Sequence, residues 1–235
     1  MHNPSQVLKL LAQANRILAR DGIVDDFGHV ALRDMADPTR FWLSRALPPN
    51  AVTEADMRRY DAQGVCEDPA ALSYSEAVLH ARIFAARPDV QVSIHHHARP
   101  LLPFTMPGAM PLRPVFHTGS IQGWDVPVWD SATFGATGML VDDVPKADSL
   151  AAALGANRAA LLRAHGAVVV GPDIPTAVMI AIYMSENAGV ALACGAPHHP
   201  VPSLSREEAE ATSARLLTPA TVARVWAGRL VGLAL

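Results

Sequence analysis

Apolar residues recur at helical spacing over residues 5–20. Val7, Leu8, Leu10, Leu11, Ala14, Ile17 and Leu18 fall largely on one face, and Gly22 suits the stop. The pattern then shortens. "GHVALRD" and "RFWLS" read as two strands around a polar turn, "DMADPTR". Thr53 with Asp56 predicts a short helix start, capped by the threonine. Residues 73–86 predict a second helix, ended by "RPD". Over residues 90–97 the chain alternates, with Val90, Val92, Ile94 and His96 on one face and Gln91, Ser93, His95 and His97 on the other. Residues 100–138 are rich in Pro and Gly, with strand candidates at "PVFHT" and "VPVWD". Residues 146–154 predict a short helix. "AALLRAHGAVVVG" reads as a buried strand, a turn at His165-Gly166 and a further strand. A long helix is expected over 175–194 with proline near its first turn, and a last one from the Thr218 cap toward Leu233. Helices and strands mix without a strict βαβ rhythm, which predicts an α/β layered fold around a mostly antiparallel or mixed sheet.

Composition narrows the classes. The chain has 235 residues, 50% of them hydrophobic, enough for one full core and a single domain over 1–235. A formal net charge of −3 leaves no basic footprint, so no nucleic-acid partner is expected. Cys66 and Cys194 lie far apart with no CxxC, which implies no disulfide framework and fits a reducing cytoplasm. "MHNPSQVLKL" lacks the pattern of a secretion signal, and no uninterrupted apolar run reaches about 18 residues, so no membrane span is expected. No G-x-G-x-x-G follows a strand and no phosphate loop occurs, which argues against a nucleotide cofactor.

The histidines carry the candidate chemistry. His95 and His97 stand at i and i+2, which on a strand points both imidazoles the same way, roughly 7 Å apart at the backbone. Two imidazoles so placed can close on one metal ion, or can be ordinary polar strand positions. His165, between two apolar runs, is either a hydrogen-bonded core residue or the third ligand. Three neutral imidazoles leave coordination positions open, as in a catalytic site. Glu76 reads either as a solvated acid near a helix N-terminus or as a fourth ligand and general acid/base. Asp26 and Ser75 are candidates for lining a pocket, with Ser75 equally a helix cap. His117, Tyr183, the pair His198 and His199, and Arg99 and Arg113 are weaker candidates, more simply loop, core or surface residues.

Taken together, these segments resemble the class II aldolase/adducin family. The resemblance rests on "G-x-x-x-x-R" at Gly28 and Arg33, "L-S" at Leu43 and Ser44, "S-E-x-x-L-H" from Ser75 through His80, "RPDV-x-x-x-x-H-x-H" ending at His97, and "L-x-x-H-G" ending at Gly166. It implies a three-layer α/β/α fold with a central, mainly antiparallel sheet, and a homotetramer with sites near subunit interfaces. It further implies one divalent metal ion per subunit, zinc or manganese, held by Glu76, His95, His97 and His165, with Glu76 also acting as acid/base. Sugar-phosphate aldolases of the family show "GN-x-S" where this chain has "GHVA", and "T-P-S-G" where it has "LSRALPP". His29 and Arg45 thus stand where a phosphate would be cradled, and an arginine fork suits a carboxylate. The chain is similar instead to a subgroup acting on unphosphorylated substrates, the decarboxylases of hydroxylated aromatic dicarboxylates such as dihydroxyphthalate or a hydroxypyridine dicarboxylate. That implies a small-molecule carboxylate substrate, held by Arg45, Ser44, Ser75 and Asp26, with His29 a second proton-donor candidate. An aldolase acting on a small unphosphorylated hydroxy-carbonyl compound is the alternative, and a non-catalytic adducin-like module a third.

Overall fold

A computed structural model describes residues 4–136 and 138–233. Its centre is a seven-stranded sheet built from β1 (His29–Arg33), β2 (Phe41–Ser44), β3 (Met57–Tyr60), β4 (Val92–His96), β5 (Val128–Trp129), β6 (Ala159–Leu162) and β7 (Gly166–Gly171). The spatial order is β3-β2-β1-β4-β7-β6-β5. All neighbouring pairs run antiparallel except β5 and β6. Two long connections place β4 between β1 and β7, so the histidine-bearing strand sits at the middle of the sheet.

Helices cover both faces, giving the expected α/β/α layers. α1 (Pro4–Arg20) and α4 (Ile174–Ala193) pack on one face, where Leu11, Ile17 and Leu18 meet Val30, Val92, Ile94 and Val169. α2 (Ala77–Ala86) and α3 (Val144–Leu154) pack on the other, where Leu79, Ile83 and Leu150 meet Ala31, Phe41, Leu43 and Val168. Each fully buried Leu or Ile contributes about 1.5–3 kcal/mol relative to exposure. α4 is long and apolar enough to cross a membrane, yet most of it is buried against the sheet and its neighbouring helices. α5 (Arg206–Leu216) and α6 (Pro219–Leu230) close the chain.

Several expectations shift. "PVFHT" is not a strand: His117 opens a 3-10 segment, His117–Gln122, held against α4 by the Asn187 amide, which accepts from Val115 N and donates to Arg113 O. Val90 packs with the α2/α3 cluster rather than with Val92, because the regular alternation begins only at Val92. The turn before β7 is made by residues 163–165, with Ala164 at φ 51°, and Gly166 is already strand. Gly166 is needed for a close approach instead: a Cβ there would lie 2.3 Å from His96 O and 2.7 Å from His97 Cδ2. The second helix starts at Ala77 with Glu76 at its N-cap position, and no side chain makes a capping hydrogen bond there.

Candidate metal centre and its cavity

Strand alternation and one turn bring three imidazoles together. His95 is on β4 facing α2 and α3, His97 follows on the same side, and His165 ends the β6–β7 turn. That turn is pinned by Thr105, whose Oγ1 accepts from Ala164 N and donates to Leu102 O. The ligand atoms of His95, His97 and His165 all lie within 4.8 Å of one another. His96 faces the opposite side, fully buried, and burial pushes its imidazole down to about 3.

The partners of these rings fix their protons. His95 Nδ1 donates to Ala167 O at 3.1 Å, leaving Nε2 bare. His97 Nδ1 donates to Asp25 Oδ1 at 2.9 Å, leaving its Nε2 bare as well. The two bare Nε2 atoms face each other at 3.1 Å. Glu76 Oε2 lies 3.4 Å from His95 Nε2 and 3.8 Å from His165 Nε2. Three acceptors, the Nε2 atoms of His95 and His97 and Glu76 Oε2, therefore converge beside His165 Nε2 with no proton assigned between them; His165 Nδ1 is buried with no hydrogen-bond partner among the described residues. That arrangement calls for a cation, and two nitrogens in a tetrahedral shell at 2.0–2.1 Å stand about 3.3 Å apart. The donor set fits a divalent metal ion.

Electrostatics agrees. Burial alone would raise the Glu76 carboxyl, but His95, His165 and the Val141 N–H outweigh it and hold the group well below the usual carboxylate range. Val141 N donates to Oε1 at 2.8 Å, so Oε2 is the oxygen turned to the centre. Burial, then His95, lowers His165 to about 4. Burial and His95 also lower His97, with Asp25 opposing. These two rings are neutral near pH 7, the form that binds metal.

A cavity of about 780 Å³ opens beside the cluster, lined by Asp26, His29, Ser75, Glu76, His97 and His165 together with Phe27, Leu47, Pro48, Tyr74, Met139 and Leu140. Asp26 and Ser75 are therefore at the wall. His29, on β1, is 1% exposed and lines the cavity, its ring tilted by 50° against Tyr74 at 4.5 Å between ring centres. Ser44 and Arg45 are placed differently. Ser44 is fully buried against the Tyr74 hydroxyl at 3.2 Å. Arg45 Nε donates to Asp56 Oδ1 at 2.8 Å, and among the described residues lining the cavity there is no arginine or lysine. The pull of Asp56, itself braced by Thr53 N and Oγ1, turns that guanidinium away.

The weaker candidates stay apart from the cluster. His117, His198, His199 and Arg99 are exposed, Tyr183 packs against Ile121, Met179 and Val222, and Arg113 pairs with Asp125 over the Trp124 ring. Arg33 of the "G-x-x-x-x-R" segment is structural, donating to Val90 O, Pro38 O, Phe84 O and Arg87 O. Sequence reasoning missed Asp25, the acid that orients His97. Its signal was the "DDFG" turn, in which Asp25 Oδ1 also accepts from Phe27 N and Gly28 N.

Known proteins resemble this chain in sequence and in fold. The chain is 32% identical over 241 residues to the decarboxylase tropJ of Talaromyces stipitatus, covering 89% of this chain and 87% of that one. It is 28% identical over 197 residues to a 3,4-dihydroxyphthalate decarboxylase of Terrabacter sp. (strain DBF63), covering 78% and 79%. The fold matches an L-fuculose 1-phosphate aldolase from Glaciozyma antarctica PI12 with a TM-score of 0.77 at 21% identity, over 97% of this chain and 89% of that one. Residues 9–192 match the family described as Class II Aldolase and Adducin N-terminal domain, and this chain belongs to that family.

Proposed function

We propose that the protein is a metal-dependent carbon–carbon lyase that decarboxylates a hydroxylated aromatic carboxylic acid of the dihydroxyphthalate kind. The carrying observation is the convergence of bare imidazole nitrogens on the Glu76 carboxylate at the floor of a largely apolar cavity. His95, His97, His165 and Glu76 would hold the ion, zinc or manganese. A bound divalent ion supplies Lewis-acid stabilisation of the negative charge that develops on an oxygen beside the breaking bond.

The chain's own groups do the rest. Phe27, Leu47, Pro48, Tyr74, Met139 and Leu140 offer flat apolar surface to a ring and exclude water from it. Glu76, anionic at rest, accepts the phenolic proton of the entering acid on Oε2. The bond between ring and carboxylate breaks, carbon dioxide leaves, and the electron pair stays on the ring carbon. Glu76 then returns its proton to that carbon. His29 faces the same space. A phosphate is disfavoured because the described lining offers no lysine or arginine, with Arg45 held by Asp56. The reading includes a homo-oligomer, a tetramer, in which Phe27, 73% exposed at the cavity mouth, is covered by a neighbour.

The test is metal analysis of purified protein, followed by carbon dioxide and aldehyde release over a panel of hydroxybenzoates, hydroxyphthalates and hydroxy-carbonyl compounds. Carbon dioxide from an ortho-hydroxy acid supports the reading. Aldehyde release selects the aldolase alternative, and protein without stoichiometric metal removes both.

A further inference from the structure

A chain of three buried side chains runs behind the cavity wall and ends on His29. Ser93 Oγ lies 2.8 Å from His80 Nδ1, and His80 Nε2 lies 2.7 Å from His29 Nδ1. All three residues are 0–1% exposed, on β4, α2 and β1. Neither histidine is among the proposed metal ligands. The protons in such a chain can run in only two senses. If His80 Nδ1 donated to Ser93, the buried Ser93 hydroxyl proton would have no acceptor, because among the described residues His80 is the only hydrogen-bond partner of Oγ. If Ser93 donates, every link is satisfied: Ser93 O–H to His80 Nδ1, then His80 Nε2–H to His29 Nδ1. His29 is then left with its proton on Nε2. That nitrogen has no hydrogen-bond partner among the described residues, and it belongs to a ring lining the cavity.

We infer that Ser93 and His80 are positioning residues that hold His29 as a neutral Nε2–H donor, aimed at an oxygen of the bound acid. The inference rests on the cavity being the active site and assigns His29 a role distinct from proton transfer. A ring whose Nδ1 is occupied by a donor cannot act as a base through that atom, and its Nε2 carries a proton already. His29 therefore binds an oxygen whose negative charge grows as carbon dioxide departs, while Glu76 moves the proton. Tyr74, with its hydroxyl donating to Leu47 O at 2.9 Å, packs its ring at a tilt against His29 without entering the chain.

Neutron diffraction from crystals of the perdeuterated protein, carrying the ion with which it purifies, reads the chain directly and needs no substrate. Deuterons on Ser93 Oγ toward His80, on His80 Nε2 and on His29 Nε2 are expected. A deuteron on His29 Nδ1 overturns the inference, whatever the enzyme's reaction. Turnover of whichever hydroxy acid the panel identifies supplies the second arm. Ser93→Ala, which frees the chain to reverse, is expected to lower kcat by about tenfold or more with metal content and KM near wild type. His29→Asn, which restores an amide donor, should recover more activity than His29→Leu. Unchanged kcat in correctly folded Ser93→Ala, or equal activity of the two His29 variants, overturns the role in catalysis. Should Ser93→Ala fail to fold, the wild-type deuteron map still decides the polarity. If no acid on the panel is decarboxylated, the reaction assignment fails while the map stands.

Discussion

Gly166→Ala tests how tightly the sheet and the metal centre are built together. The added Cβ would sit 2.3 Å from the His96 carbonyl oxygen and 2.7 Å from His97 Cδ2. Ordinary contact begins near 3.4 Å, so β7 must draw back from β4 by about 1 Å. A ladder hydrogen bond stretched from about 2.9 to about 3.9 Å is lost. Overpacking costs about 1–3 kcal/mol and one or two lost ladder bonds about 1 kcal/mol each, giving about 2–5 kcal/mol together. For a domain of this size that is a fall in Tm of about 4–20 °C. The same displacement moves the His97 ring, and metal ligands tolerate only about 0.2 Å, so affinity for zinc should drop at least about tenfold. Thermal melts followed by circular dichroism and zinc competition against a chromophoric chelator measure the two effects. Gly189→Ala is the control, because nothing lies within 4 Å of its added Cβ and the site is inside α4. A Gly166→Ala protein with wild-type Tm and wild-type zinc affinity would show that the β4–β7 spacing does not set the site.

Four other outcomes are expected. Glu76→Gln should keep most of the metal, through three imidazoles, and lose about 10²–10⁴-fold in kcat, read by stopped carbon dioxide assays; wild-type turnover removes Glu76 as the acid/base. Asp25→Ala should weaken metal binding about 10–100-fold with the fold intact, since it frees His97 Nδ1; unchanged binding in a chelator titration contradicts the orienting role. Burial holds His29 and His80 well below their ordinary value of 6.5, so below that pH the unfolded chain takes up more protons than the folded one. Stability is then full above about pH 6.5 and falls on acidification by up to about 1.4 kcal/mol per pH unit for each histidine; urea midpoints of metal-stripped protein that stay level from pH 7.5 to 5.5 would refute this. Arg45→Met should change KM less than about threefold, because it removes a half-exposed pair with Asp56 and no cavity contact; a large rise in KM would place the guanidinium on the substrate.

Much of the centre was readable before the fold. A period of two puts His95 and His97 on one side of a strand whatever lies around it, and "L-x-x-H-G" sets His165 at a turn against them. The ligand class follows from side-chain chemistry alone. What pairwise spacing does not carry is the competition for each group across the chain. Arg45 looked free to hold a carboxylate, yet Asp56, eleven residues on, takes it. Glu76 looked like a helix residue, but it stands at the N-cap, its carboxylate accepting from Val141 N, sixty-five residues away. β3 escaped notice because "MRRY" carries two arginines, tolerated at a sheet edge where Arg58 meets Asp68 and Arg59 meets Asp34. α5 escaped because its faces are polar almost all round, with only Ala209 and Ser213 buried, although "SREE" displays a capping box.

The two orienting partners of the imidazole pair differ in kind. One is a peptide carbonyl, at Ala167, and the other is a carboxylate, at Asp25. No change of residue type at position 167 deletes a carbonyl, so His95 keeps its tautomer across any single mutation there. Position 25 is open to exchange, and a codon change suffices to loosen His97. In the proposed metal centre, ion retention would therefore drift by steps at one acidic position while the deeper imidazole stays fixed, which makes residue 25 the natural dial for anyone engineering metal preference or release.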